Sequence, residues 1–586
     1  MGIPLLNVLT WALRLIFKSI KLIALNMKKN KLYSFVISVV LLLTAFGCRN
    51  EFLNTKYDTN ITPQEIATNR YLIFSFANEF YTQLQYGFTV IDNNLFAEAS
   101  DEAQQSASSS NAPIFNNGTL NAYNNPLSGL YKTYYDGIRA ANFFLDFSKN
   151  GNSLLALNRD TITDSLNYHL DKKNLVWYQA EAHIASAYYY MELIKRYGGV
   201  PVITSTLRPT NIGYVAKSSY DSVVNYIVSQ IDTYKGSLQV NWKTTSQYVN
   251  NDGRFSLGSA LAIKARVLLY AASPLHNPSN DVSKWQRAAS AANDLMIAPG
   301  LNLAMASNYA TYFTGANPLS SAETIFAVRM PANNTPETQN YPIATPGGNT
   351  GICPSQNLVS DYEYTGIANP ANPYVNRDPR LAASIVTNGS TWNNRVINEA
   401  PGGSDDMTAT HASPTGYYLK KFLTDNLNLV QGATSQNQWV VFRYGEILLD
   451  YAEAMNEAYG PDVAPAGYKY TARQALMLVR NRASALLPAI TATNVSDFRI
   501  VVKHERRIEL AFEDHRYWDL LRWNDAQVVL NQPIQGVQVT QNAGIYNYQV
   551  VNVATRIFNA PSNYYFPFAY SEIVNSKGTL EQNPGY

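Results

Sequence analysis

The chain has 586 residues and a near-neutral formal charge of +2, from 45 Lys and Arg against 43 Asp and Glu. That balance excludes the strongly basic character of a nucleic-acid-binding protein. Two cysteines, Cys48 and Cys353, cannot supply the framework of a disulfide-built secreted domain. Tyrosine is abundant at 41 residues, and surfaces rich in Tyr and Asn suit sugars or peptides, which need flat apolar faces edged by hydrogen-bonding groups.

The first 47 residues read as an address. Met27 opens a short cationic stretch, Met27-Lys28-Lys29-Asn30-Lys31, followed by an apolar run from Leu32 to Phe46, then Gly47 and Cys48. This is the layout of a secretory signal, too short for a stable spanning helix. A Cys directly after a small residue predicts lipoprotein processing, with Cys48 as the lipidated N-terminus. Ala45 departs from the usual Leu three residues before that Cys, and the plainer alternative is an ordinary signal with Cys48 incidental. Residues 1–26 carry Arg14, Lys18 and Lys21 and no acid, so Met27 is read as the true start, with 1–26 a basic amphipathic extension as the other possibility. Removing residues 1–47 takes away six basic residues and no acid, which leaves 539 residues with a net charge of −4. Residues 48–60 are read as a tether, and 61–586 as a single domain with a helical part to about 320 and a loop-rich part from about 321.

Further along, helices alternate with long polar loops. From Asn174 to Tyr197, Trp177, Ala180, Ile184, Ala187, Met191 and Ile194 recur at spacings of three and four, which is one helix face. Gly198-Gly199 ends it, and Val200 to Ile203 begins an extended piece. Leu257, Leu261, Ala265, Leu268 and Ala272 trace a second face, stopped by Pro274. Trp285, Ala288, Ala289 and Ala292 begin a third. Further helices are expected at 62–85, 126–148, 218–235, 443–459, 468–485 and 495–526, with short strands near 324–329, 381–387 and 417–422. Paired helices with buried Trp, Ala and Tyr suggest tetratricopeptide-type hairpins, although no strict repeat is present. The stretches 99–125, 331–442 and 527–570 are rich in Asn, Gly, Ser, Thr and Pro and are read as loops, which at that length are usually functional or disordered.

Strings that carry catalysis or cofactors are missing. His504-Glu505 begins like a zinc-protease motif, but Ile508 stands where the second His is needed. There is no Walker loop, GxGxxG, GxSxG or EF-hand string, and no metal or cofactor is expected. Glu98, Asp101 and Glu102 form the nearest acidic cluster and are read as a solvated or capping turn rather than as an acid pair, whose spacing only a tertiary structure fixes.

Several blocks, in order, resemble the SusD/RagB family of outer-membrane lipoproteins. They are YYYMELIKRYGGVPVI (188–203), GRFSLGSALAIKARVLLYAASPLHNP (253–278), RDPRL (377–381), YAEAMNEA (451–458), VRNRA (479–483), ERRIELAFEDHRYWDLLRW (505–523) and the closing QNPGY (582–586). The departure is Phe566-Pro567-Phe568-Ala569, where the family more often has Pro-Ile-Pro. The resemblance implies a mostly α fold: a SusD-like helical scaffold with tetratricopeptide-like helix hairpins, long loops and a few short strands. It implies no catalysis. It also implies capture of an oligosaccharide, or in some branches a peptide, at the surface of the outer membrane, as the lid of a SusC-like TonB-dependent transporter. Surface display rests on this resemblance, because Arg49-Asn50-Glu51 offers only one acid after Cys48.

Within the 505–523 block, Glu505, Arg506, Arg507, Glu509, Glu513, Arg516, Asp519 and Arg522 place opposite charges on neighbouring turns, read as buried ion pairs that position helices rather than bind ligand. Aromatics on helices (Trp177, Trp285, Trp518, Trp523) are assigned to the core. The family's ligand contacts come from loops that correspond here to about 104–123 and 331–350. The candidate ligand-binding residues are therefore Phe115, Asn116 and Tyr123 in the first loop and Tyr341 and Asn349 in the second. Trp392, a loop aromatic in an amide-rich setting, is added. The alternative is that these residues pack the loops or meet the transporter. Other readings of the whole chain are a scaffold subunit with no ligand of its own and a glycan-cleaving enzyme, which would need two facing carboxylates in a pocket.

Overall fold

Helix formation here follows the apolar stripes and their caps. A computed structural model describes residues 69–207, 215–242 and 251–586; the signal, Cys48 and the tether lie outside them. The principal helices are α1 (Leu72–Glu79), α2 (Gly129–Ser148), α3 (Ser165–Tyr197), α4 (Tyr220–Tyr234), α5 (Leu257–Ala272), α6 (Val282–Ile297), α7 (Tyr444–Tyr459), α8 (Ala472–Arg480), α9 (Val495–Glu509) and α10 (Arg516–Arg522). The α3 stripe from Trp177 to Ile194 is buried throughout, and Gly198, at φ +68°, stops the helix. Reciprocal capping boxes start α5 (Ser256 with Ser259) and α8 (Thr471 with Gln474), each satisfying two orphan N–H groups. Consecutive helices pack as hairpins: α2 on α3, α3 on α4, α5 on α6 and α7 on α8, with α6 also on α7.

Strands are few and short. They are β1 (Ala103–Gln105), β2 (Thr324–Val328), β3 (Ile352–Pro354), β4 (Ile385–Val386), β5 (Thr391–Trp392), β6 (Arg395–Val396), β7 (Tyr418–Leu419), β8 (Trp439–Arg443), β9 (Ile534–Asn542) and β10 (Ile545–Ala554). They form five two-stranded antiparallel pairings among the described residues: β1–β3, β2–β8, β4–β7, β5–β6 and β9–β10.

Three expectations are corrected. The helix expected over 495–526 is two helices, because the chain turns between them: Phe512 and Asp514 adopt positive φ of 67° and 61°, and the Phe512 N–H is turned onto the Glu102 carboxylate at 3.1 Å. Most of the strand expected over 381–387 is a short helix, Pro379–Ser384, capped by Asp378 and begun by Pro379, with only Ile385–Val386 extended. The loop expected over 527–570 contains the longest strands of the fold, β9 and β10. Their uncharged alternation of Gln, Thr and Asn with Val and Tyr has the composition of a loop and the period of a strand.

Candidate functional site

Two loops that the sequence separates by more than two hundred residues are fastened together. β1 pairs with β3 in the register Ala103 to Pro354, Gln104 to Cys353 and Gln105 to Ile352. The Ser106 N–H donates to the Gly351 carbonyl at 2.9 Å, and the Ser106 hydroxyl to that of Asn349 at 3.3 Å. Beneath them Asn94 and Asn340 exchange amide hydrogen bonds of 3.1 Å in both directions, and the Asn340 carbonyl also accepts from the Ile352 N–H at 2.9 Å. Gly351 sits at φ +48°, and a Cβ there would lie 2.2 Å from the Gln339 carbonyl oxygen, so the crossing is closed by a residue without a side chain.

Charge holds this junction to the body. Asp101 accepts from Arg516 at 2.8 and 3.0 Å and pairs with Arg507 at 2.8 Å. Burial alone would raise its pKa, yet the two guanidinium groups hold the carboxyl well below the usual range. Neighbouring Glu102 has no guanidinium of its own. Burial, opposed by the Phe512 N–H and reinforced by the Asp101 charge, pushes it up to about 8. Glu98 takes Gln104 Nε2 at 2.5 Å and Ser110 Oγ at 2.9 Å on its two oxygens. The acidic turn is thus buried and engaged rather than solvated.

The eight charges singled out in the 505–523 block are all paired. Glu509 alone meets Arg380, Arg443 and Arg482. Glu513 takes Arg443 and Lys421, Glu505 takes Arg380 and Arg480, Arg506 joins Asp450 to Asp519, and Arg522 reaches Glu453. Each of these residues is buried or nearly so. Their role is positional: Arg507 and Arg516 project from the block to Asp101 and fix the first loop.

The six candidate ligand residues divide by exposure. Tyr123 is 78% exposed and stacks on Tyr570, itself half exposed, with ring centroids 4.8 Å apart at 28°. The Asn121 side chain holds its backbone by accepting the Tyr123 N–H at 2.9 Å, and the Tyr570 N–H donates to Ala122 at 3.2 Å. Asn349 is exposed on the fastened crossing. Phe115 is wedged edge-on against Phe96 and beside Phe566 at 4.9 and 5.0 Å, which leaves no ring face open. Asn116 is buried, with its amide donating to the Glu98 carbonyl at 2.7 Å. Tyr341 is fully buried; its hydroxyl, pushed up to about 12 by burial, donates to the Thr424 carbonyl and accepts from the Leu427 N–H. Trp392 packs edge-on to Tyr341 under the Lys420 ammonium. Four of the six therefore sit beneath the loops, and two face outward.

Around Asn349 and Ser106 the rim is polar: Asp92 accepts from the Asn111 N–H and amide at 2.7 and 2.6 Å, beside exposed Asn93. Tyr570 is the residue that sequence reasoning missed. Its signal is slight, an aromatic just after the run Phe566-Pro567-Phe568-Ala569, 447 positions from the ring it supports. Among the described residues no cluster of His, Cys, Asp and Glu is arranged to hold a metal ion.

This architecture is shared. A profile described as the SusD family matches residues 322–586, and one described as starch-binding associating with outer membrane matches 51–269. The chain belongs to the SusD family. SusD-like protein P2 of Formosa agariphila is 22% identical over 96% of this chain and all of its own length, and SusD-like protein P38 of that organism is 22% identical over 61% of this chain and 69% of its own. Among solved structures, a SusD-like carbohydrate binding protein of Bacteroides fragilis superposes with a TM-score of 0.70 at 23% identity, covering 87% of this chain and 99% of that one. Surface glycan-binding protein A of Bacteroides uniformis gives 0.63 at 19%, covering 88% and 99%. A laminarin binding SusD-like protein gives 0.60 at 21%, also over 88% and 99%. At these identities the likeness is one of fold: a mostly helical scaffold with short strands, as the SusD resemblance implied.

Proposed function

We propose that this protein is a non-catalytic receptor that captures a glycan at the cell surface and passes it to a SusC-like TonB-dependent transporter. In this reading a lipid on Cys48 holds it to the outer membrane. The observation that carries the reading is the joining of the two long loops by β1 and β3, with the open face of Tyr123 on one and the amide of Asn349 on the other. An aromatic face takes the C–H side of a sugar ring, and amides and hydroxyls take its edge. Phe115, Asn116, Tyr341 and Trp392 serve this surface from below, by holding the loops that present it.

The state of the carboxylates near the joined loops, among the described residues, supports the non-catalytic reading. The nearby carboxylates of Glu98, Asp92 and Asp101 are occupied by Ser110, Asn111 and the two arginines, and a glycosidase needs two that are free to reach one bond. The names of the relatives, a carbohydrate binding protein and a laminarin binding protein among them, support the glycan reading.

Calorimetric titration of the lipid-free mature chain against a panel of host, plant and microbial oligosaccharides tests it. Binding that Tyr123→Ala weakens at least tenfold, with melting temperature unchanged, is the expected result. Silence across the panel, with heat from a peptide library, would replace the glycan by a peptide. Silence to both would leave a scaffold subunit of the transporter. Protease shaving of intact cells reads the orientation separately, and a protected protein would place it on the inner leaflet.

A further inference from the structure

β9 and β10 form a ribbon closed by Ala543 and Gly544, both at positive φ of 50° and 81°, the backbone of a type I′ turn. Among the described residues the ribbon's backbone is tied to the body on the β9 side, while from β10 the Tyr548 side chain reaches the body, accepting from the Asn388 amide at 3.3 Å and meeting the Tyr374 ring edge-on. On β9 the Val537 N–H donates to the Thr415 carbonyl at 2.8 Å, and the Gln535 N–H to Asn357 Oδ1 at 2.8 Å. β10 is the outer strand, and none of its ten residues is buried.

Register decides which backbone groups face outward. With a two-residue turn the closing pair, Asn542 and Ile545, is hydrogen-bonded, so Ile545, Asn547, Gln549 and Val551 point their N–H and C=O groups at β9. Tyr546, Tyr548 and Val550 point theirs away from it, and no third strand meets them among the described residues. Exposed edges of this length are ordinarily blunted by a lysine, a proline or an inward charge. From Ile534 to Thr555 this chain has no charged residue and no proline. The one irregularity, at Asn552–Ala554, lies at the end of β10 away from the turn.

We propose that the outer edge of β10 pairs antiparallel with β10 of a second copy of this chain, joining two ribbons into one four-stranded sheet. The strand is its own complement. With the two-fold axis at Gln549, Tyr548 of one copy stands opposite Val550 of the other, and Ile545 opposite Val553. Outward-pointing backbone groups then meet outward-pointing groups, and an aromatic residue meets a β-branched one, a favourable cross-strand pair. The contact brings the residues beside the axis, Tyr548 to Val550, close to their own copies, so a charge there would meet its like; here there is none.

The test uses the full chain purified in detergent. Sedimentation equilibrium should show a monomer–dimer equilibrium, and Val550→Lys should weaken it at least tenfold while the melting temperature holds, since Val550 is already half exposed. Gln549→Cys sits on the axis in a non-hydrogen-bonded pair, with Cα atoms roughly 4.5 Å apart, within reach of a disulfide. It should form an intermolecular disulfide faster than Ile367→Cys, an 87% exposed control. A chain that stays monomeric, with Gln549→Cys no faster than the control, overturns the proposal. So does a dimer that Val550→Lys leaves intact. Loss of a co-purifying transporter in Val550→Lys, with no dimer formed by the parent chain, would give the edge to that partner instead and equally end it.

Discussion

Tyr123 and Phe115 stand eight residues apart and do opposite work. Tyr123→Ala removes an open face and should cost ligand affinity while leaving stability alone. Phe115→Ala empties a site packed against Phe96 and Phe566 and should cost about 3–5 kcal/mol of stability, read as a lowered denaturant midpoint. Both residues are aromatic and in one loop, so the sequence nominates both. What separates them is a ring supplied by the far end of the chain to each: Tyr570 leaves one side of Tyr123 free, whereas Phe566 closes the remaining side of Phe115. Neither partner is visible to local pattern. The pair Asp101 and Glu102 likewise differs only in its neighbours. The depressed Asp101 contributes stability that is present above the ordinary carboxylate range and is lost as pH falls through its lowered value. Glu102, raised to about 8, acts in the other sense: its neutral form suits its site, and stability is lost as pH rises through that value. Glu102→Gln should therefore remove the decline in stability between the ordinary carboxylate range and about pH 8, and Asp101→Asn the decline below that range.

At the scale of elements, the helices were legible and their breaks were not. The α3 stripe and the α5 and α6 faces announce themselves by period, because burial of one side is all that a helix needs from the rest of the fold. The interruption after Glu509 has no such sign. Residues 510–515 read as helix, yet Phe512 and Asp514 are turned left-handed where Glu102 captures a backbone N–H. The break lets Arg507 on α9 and Arg516 on α10 converge on one carboxylate. Asp101→Asn leaves those two cations short of a buried partner, at a cost of about 3–5 kcal/mol. It should also raise the rate of proteolysis in the first loop, measured by limited digestion, and because the pair is buried the loss should be nearly independent of salt. Gly351→Ala should loosen the same loop from the opposite side, through its clash with Gln339.

Across the whole molecule, the closing QNPGY block is a latch. Asn583 donates to the carbonyls of Tyr197 and Phe566 and accepts from Lys217, Gln582 bonds Phe568 in both directions, and Tyr586 is held between Asn563 and Tyr565. The terminus thus ties α3 to the segment that carries Phe566 and Tyr570. Asn583→Ala should destabilise by about 1–3 kcal/mol through the two carbonyls left unpaired, and should weaken ligand binding in step with the displacement of Tyr570. The motif marks the family in the sequence. Its physical reason, a carboxamide bridging two distant carbonyls, appears only in three dimensions.

Asp101 finds its arginine 415 positions later, β1 waits for β3, and Tyr123 waits for a ring sixteen residues from the end. Contacts between residues so far apart along a chain form late and slowly. A polypeptide that emerges N-terminus first, from a ribosome or through a membrane pore, can wind its early helices as it goes. The proposed recognition surface has to await the segment that carries Tyr570, so on that reading it stays blind to its ligand for as long as it is in transit and acquires affinity only on arrival.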